Sequence, residues 1–333
     1  MSKKINIVDG GSFTEPLEEN IVDGGLFTED FEKNVDTLRE HTGTVRSLAV
    51  SGDFLFSGAK KSDNTVKVCP IKVWDINTGK CIKILEGHTE TISSLALRGD
   101  SLFSSSGDGS IRVWDVKDVK NIKCINTIQG HDAPIYALAV RNDLLFSGSD
   151  DKTIKVWDIN SYKCINILGG HKDGIYSLAI SGDLLFSGSR DNIIKVWNIK
   201  DVKNIKCITT LTGLAGHTNS VFSLAVSGDL LFSGSGDNTI KVWNIKDIKN
   251  SVENIKPIKT LEEHKGNIYA LAVRNDLLFS GSWDKTIKVW DISSYRYIKT
   301  LGEHKAEIYA LAVRNNSLFS SSDDKTIKVW EYK

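Results

Sequence analysis

Histidine is scarce and evenly spread in this 333-residue chain, with His41, His88, His131, His171, His217, His264 and His304 standing 40 to 47 residues apart. Behind six of them an aspartate follows at 20 residues and a tryptophan 6 further on, giving Asp108/Trp114, Asp151/Trp157, Asp191/Trp197, Asp237/Trp243, Asp284/Trp290 and Asp324/Trp330. A period near forty restricts the chain to a repeat architecture, in which each unit buries its apolar faces against its neighbours.

The text between the histidines predicts strands. Ile268 to Phe279 reads I-Y-A-L-A-V-R-N-D-L-L-F and returns at Ile135 to Phe146 and, slightly changed, at Ile308 to Phe319. Runs such as S-L-A-V, L-L-F-S and T-I-K-V-W are rich in β-branched and aromatic residues, and turn pairs such as Asn142-Asp143 and Gly182-Asp183 separate them. With the C-I-x-I-L run before most histidines, each repeat supplies four strands.

A Gly-His pair, then S-G-S-x-D, then Trp-Asp recurs with variations over residues 34 to 333, and in this the chain resembles the WD-repeat family of β-propellers. The resemblance implies an all-β ring of seven blades, each a four-stranded antiparallel sheet. It also implies a hydrogen-bonded tetrad in each blade, formed in the third by Trp157, Ser147, His131 and Asp151. The chemistry suits those types: indole only donates, serine donates and accepts, neutral imidazole does one of each, and carboxylate accepts. The matching residues are His88, Asp108 and Trp114; His171, Ser187, Asp191 and Trp197; His217, Ser233, Asp237 and Trp243; His264, Ser280, Asp284 and Trp290; and His304, Ser320, Asp324 and Trp330.

The first repeat departs most from the pattern. Asp63 follows His41 by 22 residues, Cys69 stands where tryptophan is expected, and Trp74 arrives five later. Trp74 is taken as the tetrad member, with residues 59–70 forming an enlarged loop, because Pro70 cannot donate to a central ladder. Glu40, Glu263 and Glu303 replace the glycine before histidine, and Asn198, Asn244 and Glu331 replace the aspartate after tryptophan. The chain ends on a third strand, while Asn34 to Leu38 supplies a fourth-strand run with no blade of its own. The N-terminal strand is therefore expected to complete the last blade and hide two sheet edges.

Forty-two basic residues balance forty-two acidic ones, which argues against a nucleic-acid coat. No apolar run approaches membrane-spanning length and no signal-peptide core is visible, so a cytoplasmic or nuclear monomer is expected. Cys81, Cys124, Cys164 and Cys207 recur in matching outer strands of successive repeats, too far apart for disulfides or a metal site. They read as small apolar residues in a reducing compartment. No cofactor is expected. Serine, histidine and aspartate in one set superficially resemble a hydrolase triad, but sevenfold repetition and a serine committed to tryptophan argue for a structural role and no catalysis.

Residues 1–33 form a separate extension carrying eight acids and three lysines, net −5, and duplicate N-I-V-D-G-G-x-F-T-E at Asn6–Glu15 and Asn20–Glu29. The bland reading is a solvated tail; the sharper one docks Phe13 and Phe27 on the ring or on a partner.

Function is therefore expected on the surfaces. Five residues past each histidine stand Arg46, Ser93, Tyr136, Tyr176, Phe222, Tyr269 and Tyr309; just before each tetrad aspartate stand Ser62, Gly107, Asp150, Arg190, Gly236, Trp283 and Asp323. By the resemblance, both sets rim the central channel. The expected partners are other proteins or peptides, held by aromatic area, with Arg46 and Arg190 for acidic or phosphorylated groups and Asp150, Glu307 and Asp323 for a basic side chain. A phosphopeptide-reading subunit, as in ubiquitin-ligase assemblies, is the alternative, with Lys60 and Lys61 as helpers. The other face offers a rival surface, because repeats two, four and five lengthen the loop after tryptophan with lysine-rich text, as in Lys117, Lys120 and Lys123, which recur as Lys200, Lys203 and Lys206.

Overall fold

The computed structural model describes residues 36–61, 68–212, 215–250 and 255–332. They form seven four-stranded sheets. Blade three shows the pattern: Ile135–Arg141 lies innermost, followed outward by Leu144–Ser149, Ile154–Asp158 and Cys164–Leu168, all antiparallel. The turn joining the first and second strands needs a left-handed residue, which explains the glycine or asparagine there: Gly52, Gly99, Asn142, Gly182, Gly228, Asn275 and Asn315 all have φ between 50° and 55°.

Each innermost strand packs on that of the next blade, and Ile308–Arg314 of blade seven packs on Val45–Ser51 of blade one, so the ring is closed. Closure is also covalently staggered. Blade seven takes Ile308–Arg314, Ser317–Ser322 and Ile327–Glu331 from the C-terminal end and Asp36–Leu38 from the N-terminal side, with Asp36 opposite Val329 and Leu38 opposite Ile327. Leu38 is buried in a cluster that joins Phe319 of blade seven to Trp74 of blade one.

The core is a set of layers between blades. Phe103 and Val113 of blade two meet Ile135, Leu145 and Trp157 of blade three in one such layer. Second strands are covered on both sides, which is why L-L-F reads as continuous apolar text, whereas third strands keep a half-buried lysine in I-K-V-W. The layers are thin at the S-G-S glycines: a Cβ on Gly148 would stand 2.7 Å from Ile175 Cγ2 of the next blade. Blade two carries Ser105 at the matching position, buried and with its hydroxyl unpartnered among the described residues.

Two sequence expectations are corrected here. The enlarged loop is shorter than residues 59–70, because Ala59 ends the strand Phe54–Ala59 and Cys69 and Pro70 begin Cys69–Asp75. Proline is tolerated because the pairing of Cys69–Asp75 with the outer strand slips between Cys69 and Ile71, a bulge where its missing N–H is not needed. Residues 62–67, including Ser62 and Asp63, lie outside the described residues, as do residues 1–35 and with them the duplicated decapeptide. The cysteines do sit in one register, opposite Trp74, Trp114, Trp157 and Trp197. They are not packed as small apolar residues, however: Cys124, Cys164 and Cys207 are exposed, since an outermost strand has solvent on one side. Among the described residues no helix is long and apolar enough to cross a membrane.

Candidate functional site: the mouth of the channel

The side chains that fix the mouth are the buried tetrads just beneath it. In blade three the Trp157 indole donates to Ser147 Oγ at 2.8 Å, the serine hydroxyl meets His131 Nε2 at 2.7 Å, and His131 Nδ1 meets Asp151 Oδ2 at 2.6 Å. Asp151 then accepts from the Thr153 amide and hydroxyl at 2.9 and 2.6 Å, pinning the turn between second and third strands. The same histidine, aspartate, serine and tryptophan contacts recur in blade two with Ser104 as the serine, and in blades four, five, six and seven. In blade one Ser57 joins Trp74 at 2.8 Å and His41 at 2.7 Å, so Trp74 occupies the tetrad place.

Charge within these sets is settled by burial and by the hydrogen bonds. Burial, aided by nearby Lys72, lowers the His41 pKa to about 3, and burial lowers that of His131. Burial alone would raise the Asp108 and Asp237 carboxyls, but hydrogen bonds from His88 and His217 and from neighbouring hydroxyls and amides hold both well below the usual carboxylate range. Ser147 has the tryptophan on one side and the histidine on the other, so its hydroxyl is engaged both as acceptor and towards the imidazole.

Two of the three glutamates that replace glycine before histidine find a partner, and nothing in the structure explains Glu263. Glu40 pairs with Lys72 at 3.3 Å and Glu303 with Lys328 at 3.4 Å, each lysine coming from the third strand of the same blade.

Above the tetrads the first predicted residue set borders one opening. Arg46, Tyr136, Tyr176, Phe222, Tyr269 and Tyr309, with Ser93, line a cavity of about 130 Å³ on the ring axis. Five aromatic rings form an unbroken chain: Tyr136 to Tyr176 at 5.0 Å, Tyr176 stacked on Phe222 at 5.3 Å, Phe222 edge-on to Tyr269 at 5.0 Å, and Tyr269 stacked on Tyr309 at 4.9 Å. The Arg46 guanidinium lies 3.7 Å over the Tyr309 ring and extends the chain by one cation. The Arg46 Nε is buried without a hydrogen-bond partner among the described residues. Burial and the Asp150 charge push the Tyr136 phenol up to about 12, so it stays neutral and able to donate.

The second set is tied to the first by backbone. Asp150 N–H donates to Pro134 O, Arg190 to Gly174, Trp283 to Asn267 and Asp323 to Glu307, at 2.8 to 2.9 Å, each acceptor lying two residues before an aromatic ring residue. Trp283 is 53% exposed, an indole with no tetrad to serve. Arg190 faces Asp173 at 3.8 Å, and Asp323 accepts from Thr44 across the closure between blades seven and one. Sequence reading missed Thr44, Glu90, which pairs with Lys61 at 3.2 Å, and Asn267, which meets the Tyr269 hydroxyl at 3.2 Å. Thr44 and Asn267 stand two residues before a channel residue and Glu90 three, a position signal that the repeat alignment holds.

Compared with known families, the chain matches the model described as WD domain, G-beta repeat at residues 32–69, 79–115, 122–158, 162–198, 205–244, 255–291 and 295–331. Each of the last six segments begins near a fourth strand and ends just after a tetrad tryptophan, while the first stops at Cys69, before Trp74. No curated protein matches the chain.

Proposed function

The chain belongs to the WD40-repeat family, whose propellers typically serve as protein-interaction scaffolds and are usually non-catalytic, and from that premise we propose that it captures peptide segments of partner proteins at the aromatic mouth of its ring. The observation that carries this reading is the contiguous belt of Tyr136, Tyr176, Phe222, Tyr269 and Tyr309 around a cavity, with exposed Trp283 at its edge. Rigid aromatic rings offer large contact area at little entropic cost, and protein interfaces concentrate them. Each ring is braced by its neighbour, so the surface is formed before a ligand arrives.

Charge sets the orientation of the guest. Asp150, Glu307 and Asp323 favour a basic side chain on one part of the rim, whereas Arg46 and Arg190 suit an acidic one. Arg46 is the better anion site, because it has a π face beneath it but no carboxylate of its own among the described residues. Selection of a displayed peptide library on the full chain, followed by titration of the selected peptides, tests the reading. Tyr269→Ala with Trp283→Ala should weaken them at least tenfold; unchanged affinity rejects the site. Phosphorylated and plain versions of the same peptides separate a general scaffold from a phosphate reader, since only the latter requires the phosphate.

A further inference from the structure

The lower face of the ring, opposite the mouth, carries a second built surface. In blade two the chain between the strands Ser110–Asp115 and Lys123–Gln129 folds into a short 3-10 turn. Val116 and Ile122 are buried beneath it, and Asp118 accepts from the Lys120 amide at 3.0 Å and from the Asn121 side chain at 2.6 Å. Blade four repeats the device, with Ile199 buried and Asp201 accepting from the Lys203 amide at 3.0 Å. Both loops also lean on the preceding blade, through Lys83 Nζ to Lys120 O at 3.3 Å and Asn166 Nδ2 to Val202 O at 2.9 Å. The aspartates are used inside the turns. Lys117, Lys120, Lys123, Lys200, Lys203 and Lys206 are left exposed on ordered platforms.

The strand Asp36–Leu38, which follows the acidic segment in sequence, begins at this face. Asp36 pairs with Val329, at the end of the last strand that leads to Trp330 and Glu331, and the lysine loops begin at the same end of their blades. The Asp36 carboxylate packs against Gly79, in the turn after Trp74, where any side chain would strike it. The first described residue therefore lies at the lower face beside blade one, next to blade two. Residues 1–33 carry net −5, and residues 34–333, with 39 basic and 34 acidic residues, carry +5. Of the three lengthened loops, two are identical over Asp118–Ile125 and Asp201–Ile208, both D-V-K-N-I-K-C-I, whereas that of blade five differs and enters the helix Ile245–Asn250; the segment likewise holds two copies of N-I-V-D-G-G-x-F-T-E.

We propose that the two acidic decapeptides dock on the two lysine platforms, Asp9, Glu15, Asp23 and Glu29 meeting the exposed lysines, so that the chain covers its own lower face. Glu29 stands seven positions before Asp36, enough to reach about 25 Å, and the 14-residue period allows about 50 Å between copies. Tethering supplies a high local concentration, which makes individually weak, salt-sensitive pairs sufficient. The proposal is independent of what binds at the mouth.

Zero-length carbodiimide coupling of the full chain, mapped by mass spectrometry, reads the contact directly. Carboxylates of residues 1–33 should join the six platform lysines within one molecule, with yields falling at least fivefold in 0.5 M salt and in Lys120→Glu/Lys203→Glu. Exposed Cys124 and Cys207 adjoin the platforms, while Cys164 occupies the matching place in blade three, which has only a short turn. In the variant Asp9→Asn/Glu15→Gln/Asp23→Asn/Glu29→Gln, alkylation of Cys124 and Cys207 should accelerate severalfold relative to Cys164. Coupling spread over other lysines, or cysteine ratios indifferent to the four substitutions, would overturn the proposal.

Discussion

His131 and Tyr136 stand five residues apart, yet one belongs to a layer that is the same in blade after blade and the other to a ring whose members differ. The tetrad layer is buried and satisfies its own polar atoms, from the Trp157 indole to the Asp151 carboxylate. The channel ring is partly open, runs through five aromatics and an arginine, and breaks at Ser93. Where a polar chain must close on itself in a dry place, every copy is constrained alike; where water and a guest can complete the contacts, copies are free to diverge. Constancy among the repeats therefore marks what folds, and variation marks what can recognise.

Substitutions that breach the constant layer should cost most. Trp157→Ala removes an indole packed against Phe103 and Ile135 and leaves Ser147 short of a donor, so a loss of about 3–5 kcal/mol is expected from denaturant titration. Ser147→Ala keeps the packing but strands the indole N–H and the His131 ring, at about 1–3 kcal/mol. A loss as small as a surface change in either variant would mean the layer is not what holds the blades.

Acid should attack the same layer and spare the channel ring. Burial keeps His41 and His131 neutral in the fold, with the His41 pKa lowered to about 3, whereas an unfolded imidazole takes a proton near 6.5. Their contribution is complete above pH 6.5 and is lost as pH falls toward 3, each histidine weakening stability by at most about 1.4 kcal/mol per pH unit. Tetrad carboxylates held below their usual range, such as Asp108, add a second loss below about pH 4. Thermal unfolding across pH 8 to 3 should show a plateau, then a decline that steepens; a midpoint flat to pH 4 would count against neutral, buried imidazoles.

The smallest effect sharpens the comparison at the lower rim, where blades are clamped pairwise by Arg98 to Asp143, Arg141 to Asp183 and Arg314 to Asp53. Blade six offers Arg274, but blade seven answers with Asn316, and the Arg274 Nε is buried without a partner among the described residues. Asn316→Asp should gain about 0.2–1 kcal/mol, visible as a slightly raised midpoint that salt erodes.

Much of this was legible in the text because the period placed each histidine, aspartate and tryptophan on a shared framework, and a fourth-strand run without a blade implied the closure by Asp36–Leu38. What stayed hidden depends on neighbours across a seam. Spacing places Arg46 at the channel but cannot show that its guanidinium lies on Tyr309, some 260 residues away in sequence, or that Thr44 donates to Asp323. Pro70 lacks the donor a central ladder needs, yet the local bulge makes that donor unnecessary, and a bulge cannot be seen from residue type. Residue type suggests burial for the outer cysteines, whereas the exposure of Cys124, Cys164 and Cys207 follows from the strand's place at the edge.

The division between a constant interior and a recognising mouth is tested most directly by a binding isotherm on Tyr176→Ala/Tyr269→Ala, using the tightest peptide selected on the native chain. Two stacked rings are then gone and all seven tryptophan–serine–histidine contacts remain. The expected result is at least a tenfold loss of affinity with the thermal midpoint within a few degrees of the parent. Undiminished affinity in that folded variant would contradict it.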